Sequence, residues 1–209
     1  MKLYAFIVAP NPTRVRLVLA EKRARGAKIE LPEVFVNLRE GEQREATHLA
    51  RNSLGKLPVL ELDDGRFLTE SAAIIEYLEE CYPEPTMLGA TPLERARNRE
   101  LDRLADAGVL FSIAWTVHAT NSPLGLPPVP EVAAFASSRL PGVLGVLDDA
   151  LSDGRKFLGG EHPVVADCTL QAAFQFARFG ELELDLPPHL ERWDQHYRDR
   201  DPARSVLVA

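Results

Sequence analysis

Apolar positions along this chain follow two different rhythms. In the first eighty residues, short apolar runs alternate with one-faced helical stretches; beyond about residue 92 only the helical rhythm remains. Residues 2–8 form an apolar run that predicts a buried first strand. Asn11-Pro12 predicts a helix start, since Asn is a favoured N-cap and Pro suits the first helical position. That helix runs to about Arg25, where Gly26 ends it, with Val15, Val18, Leu19 and the stem of Lys22 on its apolar face. Ile29 and Val34-Phe35-Val36 predict a second strand, parallel to the first because a helix separates them. Residues 42–52 predict a further helix, with Ala46, Leu49 and Ala50 on one side. Two apolar runs, 59–62 and 67–68, flank Asp63-Asp64-Gly65, and Asp-Gly in that setting signals a hairpin. A helix from Ser71 to about Cys81 completes the order β-α-β-α-β-β-α.

Pro83, Pro85 and Pro92 then bracket a linker. Past it, residues 93–118 predict one long helix, 130–151 another, Val165–Phe179 a core helix apolar on nearly all sides, and 190–200 a last amphipathic helix. The layout is an α/β domain over residues 1–82, a linker over 83–91 and an all-helical domain over 92–209.

Composition narrows the function classes. At 45% hydrophobic the chain has the material for a full core. A net charge of −7 argues against a general affinity for nucleic acid. No run of 18 apolar residues offers a membrane span. Residues 1–8 read as a strand rather than a signal peptide, because Pro10-Asn11-Pro12 interrupts them without a small-residue cleavage pattern. The two cysteines, Cys81 and Cys168, form no Cys-x-x-Cys pair, which fits a reducing compartment. The five histidines lack metal-ligand spacing, so no metal site is expected.

The chemistry concentrates between residues 55 and 71. Gly55-Lys56-Leu57-Pro58-Val59-Leu60 places a proline at a strand start, where a missing N–H costs little and a backbone kink or cis bond is common. Leu68-Thr69-Glu70-Ser71 places an acid and a hydroxyl at a strand-to-helix junction. A helix N-terminus has unpaired N–H groups and a partial positive charge, which suit a carboxylate. Glu70 suits an ammonium. Together with an exposed strand edge, these groups suit a small zwitterionic peptide.

In these segments the chain resembles the glutathione S-transferases. The matching pieces are Lys2-Leu3-Tyr4, the helix start at Pro10-Asn11-x-x-Arg14-Val15-Arg16-Leu17, Asn52-x-x-Gly55-Lys56-Leu57-Pro58-Val59-Leu60, and Glu70-Ser71-Ala72-Ala73-Ile74-Ile75-Glu76-Tyr77-Leu78. Phe157-Leu158-Gly159-Gly160, Ala166-Asp167 and Pro188-His189-Leu190-x-x-Trp193 follow in the family's order. The resemblance implies a thioredoxin-like N-terminal domain packed on an all-α C-terminal domain. It also implies a cytoplasmic homodimer, glutathione as co-substrate and a small hydrophobic electrophile as partner. By position, Leu57 would exchange backbone hydrogen bonds with the cysteinyl part of glutathione, with Pro58 as a cis proline. Glu70 and Ser71 would hold the γ-glutamyl ammonium and carboxylate, and Lys56 and Gln43 would lie near the glycyl carboxylate.

One position departs from the family. The donor that keeps the sulfur as thiolate is, in many classes, a Ser or Cys just before the first helix; that place holds Ala9. Asn11 is the expected replacement, its oxygen capping the helix while its NH2 donates to sulfur. This resembles the Nu-class bacterial enzymes, whose Thr-Pro-Asn element has Ala9 in place of its Thr here. Tyr4 and the backbone N–H groups of the 9–13 turn are the other candidates. Leu104, Gly108, Phe111, Trp115 and His118 recur at helical spacing; Phe111 and Trp115 are expected to line a cleft for the second substrate, and His118 reads as a packed or surface histidine. Val164 stands where the family has a Ser or Thr N-cap, with Asp167 three residues on. The expected activity is conjugation of glutathione to an electrophile. The alternatives are a glutathione-dependent disulfide or peroxide reductase of the same fold, or a non-catalytic binding protein.

Overall fold

The computed structural model describes residues 1–208. Its N-terminal half is a four-stranded sheet with helices. Strand β1 (Lys2–Ala5) leads to α1 (Pro10–Ala24), β2 (Glu33–Phe35), a 3₁₀ turn (Glu42–Arg44), the one-turn helix α2 (Ala46–Leu49), β3 (Val59–Glu61), β4 (Phe67–Thr69) and α3 (Ser71–Cys81). The sheet order is β2-β1-β3-β4. β1 runs parallel to β2, with Tyr4 opposite Val34, and antiparallel to β3, with Tyr4 opposite Val59; β3 and β4 form the hairpin. The helical half comprises α4 (Pro92–Arg103), a π-helical segment (Leu104–Leu110), α5 (Phe111–Thr120), α6 (Pro130–Ser137), α7 (Leu140–Asp149), α8 (Val165–Phe179), α9 (Pro188–Arg198) and α10 (Asp201–Arg204).

Several boundaries differ from the sequence pattern, each for a local reason. β1 ends at Ala5 because the chain turns there, the Ala9 N–H bonding back to the Phe6 carbonyl. Ala9, not Asn11, is the N-cap of α1; Pro10 occupies the first helical position, where a missing N–H costs nothing. The expected helix over 42–52 is broken by Glu45, which is extended (φ −68°, ψ 149°). The long helix is continuous from 92 to 120 but carries the π segment in its middle. The expected helix over 130–151 is two helices, because Pro141 cannot continue the ladder that α6 begins. The last helix starts at Pro188 and ends at Arg198, with α10 as a separate turn.

Helix α1 is enclosed on nearly every side. Val15, Leu17, Val18 and Leu19 are fully buried, and so are the charged residues Arg14, Glu21 and Lys22. Each charge has a partner on another element. Arg14 pairs with Asp106 (2.9 Å) and Asp102 (3.4 Å), and Glu21 with Arg200. Lys22 pairs with Glu79 and donates to the Pro85 carbonyl (2.8 Å). Glu79 also accepts from the Met87 N–H (3.0 Å), and the Met87 carbonyl accepts from the Val165 N–H (3.1 Å). One buried ion pair thus ties α1, α3, the linker and the start of α8.

A second anchor lies within the helical half. The carboxylate of Asp167, fully buried, accepts from the Leu158 N–H (2.8 Å), the Val164 N–H (2.9 Å) and the Trp193 indole N–H (2.8 Å). It holds the loop before α8, the start of α8, and α9. Valine at 164 has no side-chain acceptor, so only the carboxylate half of a capping box exists; the Val164 methyls instead pack against Gly159, where an added Cβ would lie 2.4 Å from Cγ1.

Two outcomes follow. Lys22→Met, which strands the Glu79 charge, should lower the urea-unfolding free energy by about 3–5 kcal/mol, while Lys22→Met combined with Glu79→Leu should recover most of that loss. Burial pushes the Asp167 carboxyl up to about 6, against the lowering effect of the Val164, Leu158 and Trp193 donors. The unfolded value is about 3.9. A raised native pKa gives stability that is complete below the unfolded value and lost as pH rises through the folded one. Asp167→Asn, which turns an amide NH2 toward buried donors, should cost about 2 kcal/mol or more. Its deficit relative to the wild type, read from urea melts, should be larger at pH 5 than at pH 7.5.

Candidate functional site

The site assembles where the N-termini of α1 and α3 meet at the end of the sheet. Ser71, the first residue of α3, is buried, and its Oγ donates to Asn11 Oδ1 at 2.9 Å. Two residues sixty positions apart thereby share a hydrogen bond. The Asn11 oxygen is given to Ser71 rather than to the end of its own helix, which corrects its expected capping role. The amide NH2 of Asn11 remains without a hydrogen-bond partner among the described residues.

The first turn of α1 is poor in donors. Pro10 and Pro12 have no N–H, the Ala9 N–H is bonded to Phe6, and the Thr13 N–H is bonded to the Ala9 carbonyl (3.0 Å). The Thr13 hydroxyl is also given inward, to the carbonyls of Ala9 and Ile7. Of residues 9–13, only Asn11 keeps uncommitted donors among the described residues. The expectation that the backbone of this turn supplies several N–H groups is therefore not met.

Glu70 caps α3 with a backbone at φ 65°, ψ 116°, a region that non-glycine residues rarely occupy. Such strain persists where the surroundings over-determine it, and it clusters at ligand sites. The Glu70 side chain is exposed beside Ser71. The Leu57–Pro58 peptide is cis, immediately before β3. The turn preceding it is fixed from within: the Lys56 carbonyl accepts from Asn52 Nδ2 (3.0 Å) and lies 3.2 Å from His48 Nε2. Gly55 sits at φ 60° with the Gln43 carbonyl only 2.9 Å from where a Cβ would be. The Lys56 side chain is exposed. Gln43 is buried; its Nε2 lies 3.4 Å from the Leu38 carbonyl, and its Oε1 has no partner among the described residues.

A narrow cleft of about 60 Å³ opens beside Ala9 and Pro10, between Leu38 on one side and His118, Phe176 and Phe179 on the other. His118, which the sequence pattern reads as a packed or surface histidine, faces this cleft. Its Nδ1 lies 3.1 Å from Ser122 Oγ, its ring centroid 5.6 Å from that of Phe176, and burial pushes its pKa below the ordinary value. The imidazole is neutral near pH 7. The signal for it was present in the sequence: His118 lies seven residues, two helical turns, beyond Phe111 on the stripe already singled out.

Phe111 and Trp115 lie elsewhere. They line a separate groove of about 420 Å³ between α5 and α6, with Phe135, Ala107 and Arg139, and no residue of the N-terminal half borders it. Their expected place in a second-substrate cleft between the two domains is corrected on that ground. Tyr4 also points away. Its hydroxyl donates to Glu61 (2.6 Å), its ring lies under the Arg51 guanidinium (4.3 Å), and it packs with Val36 and Val59 on the sheet face opposite Leu3 and Ala5. Burial, then the Glu61 bond, raise its pKa. Cys168 is buried and burial raises its thiol pKa, whereas Cys81 is exposed at the end of α3. Among the described residues no cluster of three His, Cys, Asp or Glu side chains could hold a metal ion, and no helix is long and apolar enough to cross a membrane.

The comparisons with known proteins agree with this geometry. Residues 3–86 match the family model described as glutathione S-transferase, N-terminal domain. Glutathione S-transferase 2 of Saccharomyces cerevisiae is 30% identical over 99% of this chain and 89% of its own length. A maleylacetoacetate isomerase of Pseudomonas aeruginosa is 40% identical, over 52% of this chain and 50% of its own. The crystal structure of a glutathione S-transferase domain-containing protein from Marinobacter aquaeolei superposes with a TM-score of 0.85 at 32% identity, covering 97% of this chain and all of the other. Agreement that spans the α/β half and the helical half alike establishes that the chain belongs to the glutathione S-transferase family.

Proposed function

We propose that this protein is a glutathione transferase that conjugates the tripeptide to a hydrophobic electrophile. The observation that carries the reading is the Ser71–Asn11 hydrogen bond, which couples the N-terminus of α3 to a side chain whose NH2 has no partner among the described residues, one position from the Ala9-Pro10 wall of an apolar cleft. In this reading the Leu57 backbone pairs with the cysteinyl unit of glutathione. Glu70 takes the γ-glutamyl ammonium, and the backbone N–H groups at the start of α3, beginning with that of Ser71, take the adjoining carboxylate while the Ser71 hydroxyl stays on Asn11. Lys56 and Gln43 serve the glycyl carboxylate. The Asn11 NH2 donates to the sulfur and favours its charged form, as fixed donors do for any developing anion.

Neutral His118 accepts the thiol proton, directly or through water. The thiolate then forms a bond to the electrophilic carbon. The carbon–halide bond breaks, and halide leaves with the bonding pair. Family resemblance supports a cytoplasmic homodimer, with residues 1–82 as the glutathione-binding domain, 83–91 as linker and 92–209 as the helical domain. A second reading, isomerisation, is favoured by the 40% identity to the bacterial maleylacetoacetate isomerase over the matched half; conversion of that substrate with no conjugate formed would select it.

Retention on immobilised glutathione and turnover of an aryl halide test the main reading, and no binding at millimolar glutathione would sink it. Asn11→Ala should raise the pKa of the bound thiol by about one unit, seen by titrating ultraviolet thiolate absorbance. An unchanged titration in Asn11→Ala, with a shift in His118→Ala, would move thiolate stabilisation to His118. Ser71→Ala should weaken glutathione binding about tenfold by calorimetry.

A further inference from the structure

The turn before Leu57 is closed by a side chain to which the glutathione reading gives no role. His48 is 1% exposed, and its Nε2 lies 3.2 Å from the Lys56 carbonyl, which also accepts from Asn52 Nδ2 (3.0 Å). A carbonyl can only accept, so the ring proton sits on Nε2 and Nδ1 is left as a bare acceptor. That Nδ1 is buried and has no partner among the described residues. The backbone of the same residue ties the turn from its other end, the His48 carbonyl accepting from the Arg51 and Asn52 N–H groups, both at 2.9 Å. The Asn52 carbonyl takes the Gly55 N–H (2.9 Å), and its Oδ1 takes the Leu54 N–H (3.1 Å). Residues 48–56 thus form a closed loop whose last carbonyl faces two buried side-chain donors. One residue on, the Leu57 N–H and carbonyl have no backbone partner among the described residues.

We infer that His48 is a positioning residue for peptide binding: as its Nε2–H tautomer it orients the Lys56–Leu57 peptide so that the Leu57 N–H is aimed at the cysteinyl carbonyl of glutathione. The inference rests on the glutathione reading above and adds a determinant of affinity to that site. The Lys56 carbonyl and the Leu57 N–H belong to one planar trans peptide and point in opposite directions. Two donors that hold the carbonyl toward His48 and Asn52 therefore fix the N–H away from them. They also polarise the amide, which strengthens the bond its N–H donates. Packing alone gives histidine no advantage here. Its orphaned Nδ1 costs stability that a phenylalanine ring would not, and without His48 the Lys56 carbonyl still has Asn52. Stability is thus better served by an apolar ring, whereas a second donor to the Lys56 carbonyl requires the nitrogen.

The probes are glutathione and γ-glutamylcysteamine, which keeps the γ-glutamyl unit and the thiol but has no cysteinyl carbonyl. His48→Phe keeps a ring and removes the donor, whereas His48→Gln offers an amide NH2 where Nε2 was. By calorimetry His48→Phe should bind glutathione about fivefold more weakly than the wild type does, and γ-glutamylcysteamine equally well. His48→Gln should recover glutathione affinity to within about twofold of the wild type. With an aryl halide, the loss in His48→Phe should fall on KM for glutathione and leave kcat unchanged, as loss of uniform binding does. Its urea midpoint should equal or exceed that of the wild type. In the wild type itself, nitrogen–proton correlation NMR should find the His48 ring proton on Nε2. A proton on Nδ1, unchanged glutathione affinity in His48→Phe, or no recovery in His48→Gln overturns the inference. Equal losses for both ligands with a lowered urea midpoint mark a structural role and overturn it too. In each of these cases the wild type still binds glutathione, so the glutathione reading stands; failure of the wild type to bind removes both.

Discussion

The structure depends on a charged helix enclosed within it. Helix α1 carries Arg14, Glu21 and Lys22 at positions with essentially no solvent exposure. A buried charge without a partner costs several kcal/mol, and a paired one still adds little net stability. What such pairs do supply is placement, because each is satisfied only when its partner lies at the correct point. Arg14 requires Asp102 and Asp106 on the helix after the linker, Lys22 requires Glu79 on α3, and Glu21 requires Arg200 beside α10. Three elements are thus positioned about one axis by charge, while Val15, Leu17, Val18 and Leu19 on the same helix fill the apolar core.

That placement makes the candidate site. Because α1 is held along its length, its N-terminus has little freedom, and it meets the N-terminus of α3 at the Ser71–Asn11 bond. The two prolines flanking Asn11 then act by subtraction. They remove N–H groups that would otherwise point the same way, leaving the Asn11 side chain and its own backbone amide as the uncommitted donors of this turn among the described residues. Ala9, which lacks a hydroxyl, adds no competing donor; its carbonyl is occupied by Thr13. With Ala9 at the N-cap, the uncommitted donors of this turn lie two residues along, on Asn11.

Much of this was readable in the residues. The Asp64-Gly65 hairpin, the parallel pairing of the first two strands, and α8 from Val165 to Phe179 are all where the pattern puts them. Those signals are local, set by turn chemistry and period. The failures share a different cause. An apolar stripe tells which face of a helix is buried, not what lies opposite each level of it; so Phe111 and Trp115 face α6 while His118, on the same stripe, faces Ala9. Tyr4 reads as a candidate donor from its type, but the alternation along β1 puts it on the far face with Glu61. Asp167 reads as a helix-start acid and does accept from the Val164 N–H three residues back, but its other two buried donors, Leu158 and Trp193, come from segments that sequence spacing cannot bring together. The Asn11 oxygen reads from sequence as a cap for its own helix but accepts from Ser71 instead, because the proximity of α3 has no sequence signature.

The π-helical segment connects these points. It spans Leu104–Leu110, between the part of the long helix that carries Asp102 and the part that carries His118. A π turn holds one residue more than an α turn, which rotates everything beyond it by about 100° relative to an uninterrupted α-helix. Asp106 lies within the segment and binds Arg14, and Gly108 approaches Val143 of α7 so closely that a Cβ would meet its methyl at 2.6 Å. An ion pair to the N-terminal half and a close approach to α7 therefore fix the irregular turn from both sides. An uninterrupted α-helix anchored by the same Asp102–Arg14 contact would turn His118 away from Phe176 and the cleft. The buried charge on α1 thus positions both faces of the candidate site: Asn11 through the start of its own helix, and His118 through the turn that Arg14 holds open.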